Sequence, residues 1–219
     1  MSQPGVVLQL EPIGGERLYL ELGPRELEGL AASLAHVLRA AGVGRGHRLL
    51  VYDFSTSLST LALTRAYAPG LPAGACEELG CSVLSLDGLP ALAPRTAFFY
   101  RMMEPEALMV RQDLLDPLRA RLGSGGLESN PRLRSLLIVS REDASPPPAV
   151  GPRGAFRLYS CDPALFLALV DPAGRAHYDR DLYDVACEDG YLSVRPRFAP
   201  GLGPSRTLLS CSRAEVSAA

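Results

Sequence analysis

The chain has 219 residues and no lysine; all 22 of its Lys/Arg positions are arginine. That absence excludes a phosphate-loop lysine, a Schiff base and a lysine that polarises an acyl-adenylate. No arginines run together into a basic stripe, and the formal net charge is −2. Composition therefore gives no electrostatic case for nucleic acid or for an anionic membrane surface. No apolar stretch approaches the length of a membrane span. The start, Met1-Ser2-Gln3-Pro4, lacks the charged and apolar blocks of a signal peptide, so a cytoplasmic protein is expected. No Gly-x-Ser-x-Gly elbow occurs, which disfavours an α/β-hydrolase nucleophile. The five cysteines, Cys76, Cys81, Cys161, Cys187 and Cys211, include no C-x-x-C pair. An odd count in a chain of this size argues against a disulfide framework and for small buried apolar residues. No ligand spacing supports a metal site from Cys161, Cys187 and His177, and none is expected.

Hydrophobic patterning gives the organisation. Val6–Leu10 and Arg17–Leu22 read as strands around a Gly14-Gly15 turn. Pro24 opens a helix at a first-turn position, and Leu27, Leu30, Leu34, Val37 and Leu38 recur with helical period to Gly42. Gly42-Val43-Gly44-Arg45-Gly46 follows a helix and opens a strand, the reverse of a dinucleotide loop, and reads as a turn. Strands are expected at Arg48–Phe54, Cys81–Leu86, Ala107–Arg111 and Leu133–Ser140. Helical segments lie between them: a region capped by Ser55-Thr56-Ser57 and running up to Gly80, broken by Pro69-Gly70 and Pro72, then Leu89–Met103 and Asp113–Leu122. Such alternation implies a mostly parallel, doubly wound α/β sheet. Beyond the stiff Ser145-Pro146-Pro147-Pro148 run the segments shorten: Phe156–Ser160, Leu165–Val170, Leu182–Cys187 and Tyr191–Arg195. The reading divides the chain into an α/β domain, 1–144, with an N-terminal hairpin, and a smaller β-rich part, 149–219. The end, from Pro200, is expected to be loose.

Several phrases, in order, resemble the large domain of phenylacetate-CoA-ligase-like proteins, in the adenylate-forming acyl-CoA ligase superfamily. They are Ala-Ala-Gly-Val-Gly-Arg-Gly-His-Arg-Leu-Leu-Val-Tyr ending at Tyr52, Cys76-Glu77-Glu78-Leu79-Gly80-Cys81, and Gly-Arg-Ala-His-Tyr-Asp-Arg-Asp-Leu-Tyr from Gly174 to Tyr183. The resemblance spans roughly residues 10–195. It implies an acyl pocket, and it shows what has gone. The family's Ser/Thr/Gly-rich loop ending Gly-Lys-Pro is replaced by Leu10-Glu11-Pro12-Ile13-Gly14-Gly15-Glu16. Carboxylates there repel phosphate. The magnesium-holding Tyr-Gly-x-(Thr/Ser)-Glu motif is replaced by Tyr159-Ser160-Cys161-Asp162-Pro163.

Candidate site residues follow from both arguments. Asp53 and Ser55 lie at the carboxyl end of a central strand, where open α/β sheets bind ligands; the competing reading is helix capping by Ser55 or Ser57 with Asp53 solvated. Tyr159 and Asp162 come from the altered motif, with Phe54 and Phe166 as apolar walls. A ligand is expected where the ends of Arg48–Phe54 and Phe156–Ser160 meet. His177 and Tyr159 are the candidates for catalysis, with Asp181 orienting the His177 imidazole, or His177 simply bonding a loop backbone. The implied protein is a degenerate acyl-ligase-like module that uses no cofactor and holds a small carboxylate, an acyl ligand or a partner protein. The alternative is an enzyme that reuses the acyl pocket, or one subunit of a split ligase. A homodimer or a dedicated partner is expected to cover the first hairpin or the tail after Pro200. With a glutamate-flanked loop and no lysine, the chain is predicted not to bind Mg-ATP. Isothermal titration returning a micromolar dissociation constant would overturn this.

Overall fold

The computed structural model describes residues 6–10, 18–55, 57–65, 70–140 and 155–210. The Gly14-Gly15 turn, the Pro146-Pro147-Pro148 run, Pro69, Cys211 and the rest of the final tail lie outside them. β1 (Val6–Leu10) and β2 (Leu18–Leu22) form a two-stranded antiparallel ribbon in register Val6↔Leu22 to Leu10↔Leu18. Pro24 then starts α1 (Pro24–Ala40), whose missing N–H is one of the orphan donors of a helix start. Leu27, Leu30, Leu34, Val37 and Leu38 are all fully buried along it, as their period predicts.

Next come β3 (Arg48–Asp53), the short α2 (Leu58–Leu63) and α3 (Ala75–Leu79), β4 (Ser82–Asp87), α4 (Ala93–Met103), β5 (Ala107–Arg111), α5 (Leu115–Leu122) and β6 (Ser135–Ser140). The chain continues with β7 (Ala155–Cys161), β8 (Phe166–Val170), β9 (Ala176–His177), β10 (Tyr183–Glu188), β11 (Tyr191–Pro196) and β12 (Ser205–Ser210). One seven-stranded sheet has the order β4-β3-β5-β6-β7-β8-β9. Its first five strands are parallel, and β8 and β9 are antiparallel additions. A separate antiparallel sheet has the order β10-β11-β12. The expected α/β architecture with a smaller β-rich part is what the chain adopts. The large sheet runs across the proline run, because β7 beyond it pairs with β6 before it. β12 corrects the expectation of a loose end from Pro200: Leu209 is 1% exposed, so burial of alternate residues holds this stretch as a strand.

The central strands have no solvent face. Leu49 and Val51 of β3 pack with α1, α2 and α3, while Leu50 and Tyr52 pack with α4 and α5. β5 and β6 divide in the same way, Met109 and Leu137 on one side, Leu108, Val110, Leu136 and Ile138 on the other. That is why these strands read as continuous apolar runs. Tyr183 joins the small sheet to this core. Its ring packs edge-on against Phe166 and Phe198, its hydroxyl donates to the Leu165 carbonyl at 2.9 Å, and it lies 2.7 Å from the Ser33 hydroxyl of α1.

Charge sits at the amino ends of the strands. Arg48 forks onto Glu106 at 2.9 and 3.2 Å, and its backbone N–H donates to the same carboxylate at 2.8 Å. The Arg48 bonds outweigh the upward push of burial and bring the Glu106 carboxyl from 4.5 to about 2. A depressed carboxylate contributes stability above its ordinary pKa and loses it as pH falls through the folded value. Wild type should therefore lose about 1–2 kcal/mol between pH 5 and pH 2 that a Glu106→Gln variant does not lose. Paired urea denaturation series across that range check this, and parallel curves would sink it.

Candidate functional site

A cavity of about 620 Å³ opens at the carboxyl ends of the parallel strands. It is bounded by Asp53, Phe54 and Ser57 after β3, Arg111, Gln112, Asp113 and Asp116 after β5, Val139 and Ser140 at the end of β6, and Ser160 of β7. The volume suits a small molecule. Its position follows from topology: from β3 the chain goes to β4 on one side and then returns to β5 on the other. Loops that diverge in this way leave a crevice at the switch point.

Asp53 is 1% exposed, and its environment explains how a carboxylate survives there. Oδ1 accepts from the Phe54 N–H at 2.8 Å; Oδ2 accepts from the hydroxyls of Ser57 at 2.7 Å and Ser59 at 3.1 Å. Ser57 also accepts from the Thr60 N–H at 3.2 Å and so caps α2. Helix capping and the lining of the cavity are thus one arrangement of this turn. Gly88 presses on it from the next strand end: a Cβ there would stand 2.7 Å from the Asp53 carbonyl carbon and 2.8 Å from the Phe54 nitrogen. Only glycine lets the two segments approach so closely.

Arg111 supplies the cation. Its Nε and Nη2 bond the two Asp113 oxygens at 2.5 and 2.8 Å, and its guanidinium carbon lies 3.7 Å from the centre of the Phe54 ring. The hydrogen bonds to Arg111 hold the Asp113 carboxyl below its usual range, and Asp113 in turn raises Arg111. The third nitrogen, Nη1, is buried without a hydrogen-bond partner among the described residues. Phe54 is 42% exposed, so its other face is open.

The structure brings some of the expected residues together and leaves others apart. Asp53 and Phe54 line the cavity, and Ser57 and Ser160 join them. β3 and β7 do not meet, since β5 and β6 lie between them. Ser55 is exposed in the turn and does not line the cavity. Tyr159 is 2% exposed, and its hydroxyl accepts from the Leu208 N–H at 2.9 Å, tying β7 to β12. Asp162 is buried in the short turn after β7, and Phe166 is core between Tyr178 and Tyr183. His177 lies on β9, at the far edge of the sheet from β3. Its partner is Asp171 at 3.1 Å and not Asp181. Asp171 also accepts from the backbone of Ala173 and Arg175 and from the Arg175 side chain, closing the turn between β8 and β9. Of the other two histidines, His36 faces Asp179 at 3.8 Å and His47 accepts from the Gly44 N–H at 3.3 Å. Cys187 is disulfide-bonded, which corrects its reading as a small buried thiol, and burial pushes the Cys161 thiol up to about 11. Among the described residues no group of three His, Cys, Asp or Glu side chains could hold a metal ion. No described helix is long and apolar enough to cross a membrane.

Arg111, Asp113 and Ser140 were missed in the sequence. The signal existed: each is among the first polar residues after an apolar run, Leu108-Met109-Val110 or Leu136-Leu137-Ile138-Val139. The rule that placed a ligand at the end of β3 applies equally to its neighbours.

No protein-family model and no curated protein matches the sequence. Solved structures do. A 2-hydroxyisobutyryl-CoA ligase, in complex with 2-HIB-AMP and CoA, superposes with a TM-score of 0.67 at 15% identity, over 94% of this chain and 50% of that one. An acyl-CoA synthetase (AMP-forming)/AMP-acid ligase II-like protein from Dyadobacter fermentans gives 0.61 at 14% identity, over 93% and 55%. CmiS6 gives 0.58 at 18% identity, over 90% and 49%. The fold is that of AMP-forming acyl-CoA ligases, and this chain spans about half the length of the structures it matches.

The Asp53 carboxylate leaves three donors orphaned if it is removed, whereas Asp113 is exposed. Asp53→Ala should cost about 2–4 kcal/mol and Asp113→Ala about 1 kcal/mol or less. Urea midpoints at constant m-value report both, and an Asp53→Ala cost no larger than that of Asp113→Ala refutes the arrangement.

Proposed function

We propose that this chain is a binding module of acyl-ligase fold that holds a small carboxylate in the crevice between β3 and β5, without using ATP. The observation that carries the reading is Arg111. A buried guanidinium nitrogen with no partner is costly, and a ligand oxygen would satisfy it. The rest of the fork is fixed by Asp113 and stacked on Phe54, so the donor is held in place before a ligand arrives.

Charge balance narrows the ligand. Among the described residues, Asp53, Asp113 and Asp116 share the crevice with one arginine. Asp53 is satisfied by its turn and Asp113 by Arg111, which leaves room for one compact anion. Among the described lining residues a polyphosphate would meet three carboxylates and one guanidinium, too little positive charge to offset it. The open face of Phe54 and the Val139 side chain suit a short apolar body attached to that anion. The ligase with 2-HIB-AMP and CoA bound has this fold, and 2-hydroxyisobutyrate is the natural first probe. Association with a second copy or a dedicated partner belongs to the same proposal, because Val7 and Tyr19 stand 65% and 58% exposed on the β1–β2 ribbon.

The test is a thermal-shift and calorimetric screen of 2-hydroxyisobutyrate and benzoate against their amides and the matching amines. A carboxylate should bind, and Arg111→Met should weaken it by about tenfold or more. Arg111→Lys should not restore it, because an ammonium cannot both fork onto Asp113 and stack on Phe54. Equal binding of the amide or the amine ends the proposal. Light scattering of the same sample tests association: a dimer mass supports it, and a strict monomer with no co-purifying partner removes it.

A further inference from the structure

The opposite end of the sheet carries a pair of thiols that the crevice does not use. α3 ends in a left-handed glycine, Gly80 at φ 67°. The Cys81 N–H reaches back to the Cys76 carbonyl at 3.1 Å, and the Gly80 N–H reaches the Glu77 carbonyl at 3.3 Å. These two bonds define a Schellman ending, which brings the side chain three positions before the cap against the second one after it. In most helices that contact is between two apolar groups. Here both are cysteines, so the helix ending sets Cys76 and Cys81 side by side. Both are free. Cys76 is 2% exposed, while Cys81 is half-buried at the surface.

From this geometry we infer that Cys76 and Cys81 form an oxidisable dithiol, a modification site for hydroperoxides in which Cys81 is attacked first and Cys76 resolves. Sequence spacing hides it, since four residues separate the pair and no C-x-x-C pattern appears. The asymmetry of exposure assigns the roles. The adjacent Cys76 thiol holds Cys81 below the ordinary thiol range, outweighing burial and the nearby Glu77 carboxylate, which both push it up. The Arg45 side chain passes beside the turn, its Nε 3.5 Å from where a Gly80 Cβ would stand. Cys161 lacks any such partner, and burial raises it.

The chemistry balances without a cofactor. The Cys81 thiolate attacks the hydroperoxide O–O bond, becomes a sulfenic acid and releases the alcohol. The Cys76 sulfur then displaces hydroxide from Cys81, its proton leaving with that hydroxide as water. Two thiols and one hydroperoxide give a disulfide, an alcohol and water. The product covalently ties the end of α3 to the start of β4. Six residues of β4 separate this site from the crevice end of the sheet, a distance of about 20 Å. The inference therefore stands apart from the carboxylate reading, and failure of one leaves the other intact.

The test uses the full chain, reduced and then exposed to limiting hydrogen peroxide, with peptide mapping after arginine-specific cleavage. Residues 66–95 form one peptide holding both cysteines. It should become lighter by two hydrogen atoms, and Cys81 should alkylate about tenfold faster than Cys161 in the native protein. Cys76→Ser should leave a Cys81 sulfenic acid that dimedone traps, and Cys81→Ser should leave Cys76 unoxidised. Phenylarsine oxide, which bridges paired thiols, should block both cysteines of the wild-type chain and so needs no variant to fold. Alkylation of Cys81 no faster than Cys161, or failure of the arsenical to block the pair, overturns the inference.

Discussion

The parallel sheet is buried on both faces, and most of the structure follows from that constraint. A strand with helices above and below it has nowhere to put a polar side chain except at its ends. β6 shows the limit case, with all six residues buried, and β3 is buried from Leu49 to Asp53. Alternate residues of the central strands β3, β5 and β6 therefore belong to two different cores, one under α1, α2 and α3 and the other under α4 and α5. In the central strands β3, β5 and β6 charge appears only where the strands stop. At the amino ends it is the Arg48–Glu106 fork; at the carboxyl ends it is Asp53 and Arg111. The site is located by exclusion as much as by selection, since no other part of these strands can carry one.

Asp53 then sets the local form of that end. A carboxyl group with 1% exposure needs hydrogen-bond partners, and Asp53 obtains them by folding its own downstream chain back over itself. Ser57 and Ser59 are four and six residues later, and meeting Asp53 forces the turn that starts α2. The same turn lifts Phe54 into the opening, where its ring carries the Arg111 guanidinium. Gly88 is required because β4 ends against this turn with no space for a side chain. A change at any of these positions acts on the others, so Asp53, Phe54, Gly88 and Arg111 behave as one unit although they come from three strand ends.

Elements were more legible in the sequence than the site. α1, β5 and the pair β10–β11 are where periodicity puts them, because local apolar patterns decide elements that bury one defined face. β12 and β9 were not legible. β9 has two residues, and β12 gains its order from pairing with β11 and from the Tyr159 hydroxyl, contacts far away in the chain. The candidate residues divide by the same logic. Asp53 and Phe54 were found by a rule about strand ends, which is a rule about topology, and they line the cavity. His177, Tyr159 and Asp162 were chosen for their residue type within a resembling phrase. The fold gives the first two of these structural partners, Asp171 and the Leu208 N–H. A histidine beside aspartates in sequence says little about which carboxylate it meets, since Asp171, six residues away, reaches it through a turn. The disulfide at Cys187 was equally hidden, because cysteine spacing does not report strand pairing.

The exclusive use of arginine bears on how the two charged ends differ. Arg48 and Arg111 each bind a carboxylate through Nε and Nη2 in nearly the same fork. A lysine would give a point charge with no preferred plane, and neither pairing would be fixed in direction. Past the fork the two arginines part company. Arg48 spends further bonding capacity on the Glu104 carbonyl at 2.9 Å, and none of its nitrogens is buried without a partner. Arg111 has the Phe54 ring against its face, and its buried Nη1 has no acceptor among the described residues. Water satisfies an exposed spare donor at no cost, but a buried one remains a standing penalty until something accepts from it. The amino-end fork is therefore complete as a clamp. The carboxyl-end fork keeps one donor unmet among the described residues, which is why the proposed ligand is one that brings an acceptor into the crevice beside it.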